Sequence, residues 1–361
     1  MVKVRGWDIG GANIKVAHLQ TFKGAVKKAE VASEYFPIWK NLSKLPQVLR
    51  GLRRKLAATT PDAVAATMTA ELSDVYKNKQ EGVNHILDCL EATFPKASLY
   101  IVEAGGTLIS PSEARRRPLR VAAANWAATG WMMSQLFNNC ALIDVGSTTT
   151  TIVPIVAGKV AAEGLTDLEK LANGELVYTG VLRTNIAAVV QSIPLRDKKV
   201  MVSSELFATT GDVHLLLGNI TAEGYNVETA DGRGRTKAEA AARIARVLCA
   251  DTDMLTAKEV MGVAGYVAEQ QIAQVAEALQ EVLSRRKSRG KETQPIVVTG
   301  IGRGFLARRA AERCGCENII DLGELAGAEA STATPAIATA LMAANTLERL
   351  RLREWLTISS L

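Results

Sequence analysis

The sequence predicts an α/β protein made of two related halves, each a mixed sheet flanked by helices, and three observations carry that expectation. The first is the stretch 141–151. Its apolar run Ala141 to Ile143 reads as a buried strand ending on Asp144, with Gly146 and a run of hydroxyl residues behind it. The second is the same layout near the start, where Val4, Gly6 and Trp7 lead to Asp8, then Ile9, Gly10, Gly11, Ala12 and Asn13. The third is the order of the remaining segments, strands alternating with helices as in a sheet with helices laid against it. One Asp-x-Gly turn is ordinary hairpin chemistry. Two, each closing a strand, point to two half-sites facing one another across a cleft.

Taken in order, residues 2–8 read as a strand and Asn13–Leu19 as its hairpin partner, with Gly10-Gly11 at the turn. Val26–Phe36 supplies a third strand. Leu45, Val48, Leu49, Leu52 and Leu56 share one helical face, and Pro61 stops that helix. Ala63–Met68 reads as a buried strand, Val83–Phe94 as a helix ended by Pro95, and Leu99–Val102 as another strand. The first domain is expected over 1–122 and the second over 123–361. The second opens with a helix, Trp126–Phe137, and repeats strand, turn and strand, with Thr151–Val156 and Lys159–Ala162 as a hairpin around Ala157-Gly158. A mostly helical insertion is expected over about 204–290. Within it Leu206–Leu217 is a helix or loop, the Gly- and Asn-rich 218–235 an exposed excursion or lid, and 236–248 and 256–286 long amphipathic helices. Ser288–Thr293 is a basic linker and Gln294–Thr299 a strand that ends in Gly300-Ile301-Gly302. A helix over Phe305–Arg313, an edge strand near 318–322 and a C-terminal helix from Pro335 to about Trp355 complete the chain.

Composition bounds the function. The chain has 361 residues, 48% hydrophobic and 22% charged, as for an ordinary globular protein of two or three domains. No apolar run approaches the ~20 residues of a membrane span, and the start lacks a signal-peptide core, so a cytoplasmic protein is expected. The net charge of +6 is concentrated in Arg115, Arg116, Arg117 and Arg120, and in Arg285, Arg286, Lys287, Arg289 and Lys291. Such clusters are read as solvated faces rather than a nucleic-acid footprint, and the charge suits anionic small molecules. Five cysteines without framework spacing, with Cys314-Gly-Cys316 too close for a metal knuckle, and three unpaired histidines give no disulfide scaffold and no structural zinc.

Asp8 and Asp144 are the candidate ligands of a magnesium ion, which carboxylates commonly hold against a diphosphate. Gly10, Gly11, Asn13 and Lys15 offer phosphate contacts from one half, and Gly146, Ser147, Thr148 and Thr149 from the other. Turn capping and β-propensity would account for the same residues without a ligand. Gly300 and Gly302, between strand and helix, suit a close-approaching anion or a tight turn. Glu71, just past a strand, is a candidate hydrogen-bond acceptor. Arg183 with Thr184 suits a departing phosphate, and Asp212 is an acid–base candidate, whereas His214 among apolar neighbours reads as structural.

These residues carry a resemblance. Asp8-Ile-Gly10-Gly11 and Asp144-Val-Gly146-Ser-Thr148-Thr look like the two phosphate loops of the actin/Hsp70/sugar-kinase superfamily, and Val297-Val-Thr-Gly300-Ile-Gly302 resembles its adenosine-side loop. Met68-Thr-Ala-Glu71-Leu narrows the resemblance to the hydantoinase/oxoprolinase branch, of which this would be a compact member. Trp7-Asp-Ile-Gly-Gly-Ala-Asn, Gly180-Val-Leu-Arg183-Thr184 and Phe207-Ala-Thr-Thr-Gly-Asp212-Val-His are similar to a group linked to tetrahydromethanopterin-dependent one-carbon transfer and methanofuran biosynthesis. Asn185 stands where that group carries proline. The resemblance implies two ribonuclease-H-like domains. It also implies transfer of a furylmethyl group from an (aminomethyl)furanmethyl diphosphate to the phenol of γ-glutamyltyramine or a tyrosine derivative, with diphosphate released. Asp8, Glu71, Asp144 and Asp212 would be catalytic. Magnesium is expected and ATP is compatible but not required. A small-molecule kinase or amidohydrolase and a non-catalytic nucleotide binder are the alternatives, with a homodimer left open and neither nucleic acid nor membrane expected as partner.

Overall fold

The computed structural model describes residues 1–56, 60–285 and 294–352. Apolar segments and turn chemistry build its first sheet from β1 (Val2–Ile9), β2 (Asn13–Phe22), β3 (Ala25–Tyr35), β4 (Ala63–Met68), β5 (Ser98–Val102) and β6 (Leu108–Ile109). The order is β3-β2-β1-β4-β5-β6, with β1 antiparallel to β2 and parallel to β4. A second sheet uses β7 (Cys140–Val145), β8 (Thr150–Val156), β9 (Lys159–Val160) and β10 (Leu176–Val177), and then, beyond a separate hairpin of β11 (Ser192–Leu195) and β12 (Lys198–Met201), β13 (Ile296–Gly300) and β14 (Ile319–Asp321). Its order, β10-β8-β7-β13-β14 with β9 also on β8, repeats the first sheet: hairpin strands on one side of the leading strand, later strands on the other. The mixed sheets and flanking helices expected from the sequence are both present.

By its internal contacts the chain falls into two compact units. Of the described residues, those within 1–142, 153–173 and 320–352 belong to one, and those within 143–152 and 174–319 to the other. The first unit's core joins Trp7, Ile9 and Ile14 of the sheet to Leu49 and Leu52 of the helix Leu45–Lys55, and to Val83, Ile86 and Leu90 of the helix Lys79–Thr93. The C-terminal helix Thr334–Leu347 lies on β1, β2 and β4. The second unit's core joins Ile186 and Val213 to Ile244, Val260, Val263 and Val267, the last four on the helices Lys237–Val247 and Ala257–Ser284.

Several boundaries differ from expectation. The helix expected from Val83 begins at Lys79, because Asn78 accepts from Glu81 N and caps a polar first turn that apolar periodicity cannot register. The helix expected over Phe305–Arg313 is instead a π-helical turn, Arg303–Ala307, followed by an α-helix over Arg308–Arg313. The C-terminal helix ends at Leu347, where Glu348 turns extended, and Arg351 N donates to Gly24 O on the first unit's β2–β3 turn. The expected helix limits at Arg286 and Trp355 and the linker Ser288–Thr293 lie outside the described residues. The excursion 218–235 holds no helix or strand, and Arg243 anchors it by donating to Asp231 Oδ1 at 3.0 Å and Gly234 O at 3.1 Å.

Candidate functional site

In the first unit, β1 delivers Asp8 to the sheet's end, in register with Lys15 of β2 and Thr67 of β4. Gly10 N donates to Asn13 O at 3.0 Å and closes the turn, while Gly11 O accepts from Ile38 N. Asp8 is buried and its Oδ1 has no hydrogen-bond partner, and neither has the hydroxyl of Thr67. Burial raises the Asp8 carboxyl above its ordinary pKa, against the opposing charge of Lys15. Lys15 Nζ meanwhile donates to Thr332 O at 2.7 Å.

Glu71 follows β4 on a short 3₁₀ turn, Ala70–Leu72. The helix Lys79–Thr93 crosses it at Gly82, where any Cβ would strike the Glu71 backbone. That close approach sets Lys79 Nζ 3.8 Å from Glu71 Oε1 and 3.3 Å from Asp167 Oδ2. Neither Glu71 oxygen makes a hydrogen bond of ordinary geometry, and the side chain is 1% exposed. The two effects on its acidity oppose each other. Burial outweighs the Lys79 charge and pushes the carboxyl up to about 8. Lys79 and Asp167 were not among the sequence candidates. They lie 8 and 96 residues from Glu71, and only the fold joins them.

In the second unit, Asp144 is the penultimate residue of β7 and Gly146 N donates to Thr149 O at 2.9 Å, the same closure as at Gly10. The segment 179–184 buttresses this turn. Leu182 N and Arg183 N both donate to Ser147 O, Arg183 Nη1 donates to Thr148 Oγ1 at 3.2 Å, and Thr184 Oγ1 accepts from Gly180 N at 3.0 Å. Gln271, another residue with no sequence signal, donates to Thr179 Oγ1 and Gly180 O. Gly300 has φ +88°, and a Cβ there would meet Val145 O and Asp144 Oδ1. Glycine is therefore required for β13 to pass this close. Gly302 N donates to Val145 O at 3.1 Å. The second unit thus gathers Asp144, Gly146, Ser147, Thr148, Thr149, Arg183, Thr184, Gly300 and Gly302 around one turn.

Asp212 is placed differently. It is fully buried. Its Oδ1 accepts from Arg243 Nε at 2.8 Å and its Oδ2 from Thr209 N at 3.0 Å, in a capping box. Both oxygens are committed to holding helices together. His214 packs on Phe305, donates to Gln271 Oε1 and accepts from Asn219, and burial lowers its pKa to about 4. This agrees with its structural reading.

A magnesium ion fits what Asp8 offers. An unpartnered buried carboxylate oxygen is costly unless something binds it. No group of three His, Cys, Asp or Glu forms a metal cage among the described residues. Magnesium needs none, being held by one or two carboxylates with water and phosphate. No helix of the described residues is long and apolar enough to cross a membrane.

The fold defines the class first. The chain is similar to the nucleotide-free structure of an acetone carboxylase, reported for ATP-dependent acetone carboxylation, with a TM-score of 0.58 at 12% identity, covering 94% of this chain and 70% of that one. It has the architecture of the actin/Hsp70/sugar-kinase type. The hydantoinase/oxoprolinase family model matches residues 62–345, and the chain belongs to that family. It is also 35% identical, over 96% of its length and 99% of the relative's, to the (4-{4-[2-(gamma-L-glutamylamino)ethyl]phenoxymethyl}furan-2-yl)methanamine synthase of Methanocaldococcus jannaschii. It is 38% identical to the protein of the same name from Methanococcus vannielii, over 58% of this chain and 92% of that one. Both relatives are named as synthases of a phenoxymethylfuran methanamine, and a biosynthetic enzyme is the function that this similarity supports.

Proposed function

We propose that this protein joins a furylmethyl diphosphate to a phenol, forming an aryl ether and releasing diphosphate. The near-full-length similarity to a synthase whose named product is a phenoxymethylfuran carries the reading. The geometry of each unit supports it. In the second unit, the N–H groups and hydroxyls of Ser147, Thr148 and Thr149, with Arg183 beside them, suit a leaving diphosphate. In the first, Glu71 is a buried carboxylate with a pKa near 8, well matched to a phenol whose ordinary pKa is ~10.

The bond from the furylmethyl carbon to the diphosphate oxygen breaks, and the electron pair leaves with diphosphate. The furan ring stabilises the positive charge left on carbon, so cleavage runs ahead of attack. The phenol oxygen forms the new bond to that carbon and its proton passes to Glu71. Asp8 and Asp144 are the residues proposed to hold magnesium, which when bound would neutralise charge on the departing diphosphate. Gly10, Gly11, Asn13 and Lys15 are proposed as further phosphate contacts. ATP is not required for this turnover.

The test is an incubation of the purified protein with the furan diphosphate and γ-glutamyltyramine, with and without ATP, followed by mass spectrometry. Ether and diphosphate in equal amounts without ATP are expected. ATP hydrolysis as a requirement, or no ether with any phenol, would overturn the reading.

A further inference from the structure

The first unit carries a groove to which the residues assigned above give no role. It has a volume of about 550 Å³, within the range of small-molecule sites, and its lining includes Lys79, Gln80, Arg116, Arg117, Leu119 and Arg120. No acidic residue lines it. Arg120 is committed to Glu103 at 2.9 Å, whereas Arg116 and Arg117 make no salt bridge among the described residues. Lys79 and Gln80 open the 15-residue helix Lys79–Thr93, whose N-terminal dipole adds positive potential. Leu119, 58% exposed, gives the groove an apolar surface between these charges. A ligand matching this lining is amphipathic, with an anionic end and an apolar body. One wall is also chemically connected to the reaction, since Lys79 Nζ lies 3.8 Å from Glu71 Oε1.

We propose that the groove is the acceptor subsite. The carboxylate end of the acceptor pairs with Arg116 and Arg117, its hydrocarbon lies on Leu119, and its phenol is directed toward Lys79, behind which Glu71 lies buried. Lys79 then favours the phenolate that forms as the proton moves to Glu71. The proposal rests on the aryl-ether reading for the identity of the acceptor. The donor's diphosphate is the other anion that such a lining could take, and the experiment separates the two.

Binding of γ-glutamyltyramine, of tyramine and of the furan diphosphate is measured by calorimetry on wild type and on Arg116→Ala, Arg117→Ala and the double variant. Both arginines are exposed, so the variants fold. Loss of a charge-assisted pair should weaken γ-glutamyltyramine roughly 10–100-fold and tyramine by less than about 3-fold. Arg115→Ala is the control. Arg115 pairs with Asp88 at 2.7 Å and Glu91 at 2.6 Å, does not line the groove, and should leave the affinity unchanged. Weakening confined to the furan diphosphate, or equal affinity of all variants for γ-glutamyltyramine, would overturn the assignment. If arginine-dependent binding persists in a protein that makes no ether, the reaction fails and the subsite stands. If ether forms and the variants bind normally, the subsite alone fails.

Discussion

The turn after β1 and the turn after β7 are closed by the same bond, Gly10 N to Asn13 O at 3.0 Å and Gly146 N to Thr149 O at 2.9 Å, each two residues after an aspartate. The strand order around them is repeated as well. Their chemistry has diverged. The first unit's turn lies with two buried carboxyl groups, Asp8 and Glu71, whose pKa values burial raises; Asp8 Oδ1 has no hydrogen-bond partner and Glu71 faces Lys79. The second unit's turn is rich in hydroxyls and tied to Arg183. At the strand that follows each leading strand, β4 runs on to Glu71, whereas β13 ends in Gly300, with no side chain at all. Duplication supplied one scaffold twice. The proposed reaction would use the first copy to accept a proton and the second to hold an anion.

Glu71→Gln should break the first half of this comparison with the largest effect. The loss of a general base lowers turnover by about 10²–10⁴-fold. In wild type, kcat/KM should climb with pH through a limb near 8, and the variant should lack that limb. Asp144→Asn comes next, with turnover down about 10²–10³-fold and the fold intact by circular dichroism. Unchanged activity would remove Asp144 from the site. Arg183→Met should raise the KM for the furan diphosphate about 10-fold and leave that for the phenol near wild type. A change in the phenol's KM alone would assign Arg183 to the other substrate.

Stability against pH sharpens the comparison with smaller effects. Glu71 has a folded pKa raised from 4.5 to about 8, so its contribution is fully present below 4.5 and is lost as pH rises to 8. His214 has a folded pKa lowered from 6.5 to about 4, so its contribution is present above 6.5 and is lost as pH falls toward 4. Thermal scans should therefore show Glu71→Gln losing less stability than wild type between pH 5 and 8. A His214→Gln variant should lose less between pH 6.5 and 4. Parallel wild-type and variant curves would contradict both assignments.

Most of the scaffold was legible because the signals are local. Apolar segments followed by Asp-x-Gly mark both leading strands, and the hydroxyl run of 147–151 marks the second turn. The π-helical turn at Arg303–Ala307 was not, since side-chain pattern does not distinguish it from an α-helix and the wider winding shows in backbone bonds, from Ala307 N to Gly302 O and from Arg308 N to Arg303 O. Asp212 misled for a related reason. The spacing of Thr209 and Asp212 is a capping box, but its partner Arg243 is 31 residues away, so a committed carboxylate looked available. Glu71 was visible as a polar residue past a strand. Its acidity was not, because burial and the distance to Lys79 are properties of the fold.

The central claim is that the donor's carbon–oxygen bond is the one that breaks. Running the reaction without ATP, with ¹⁸O in the phenol of γ-glutamyltyramine, tests this directly. The account predicts all of the label in the ether and none in the released diphosphate. Label in diphosphate or phosphate, or no product until ATP is added, would contradict it.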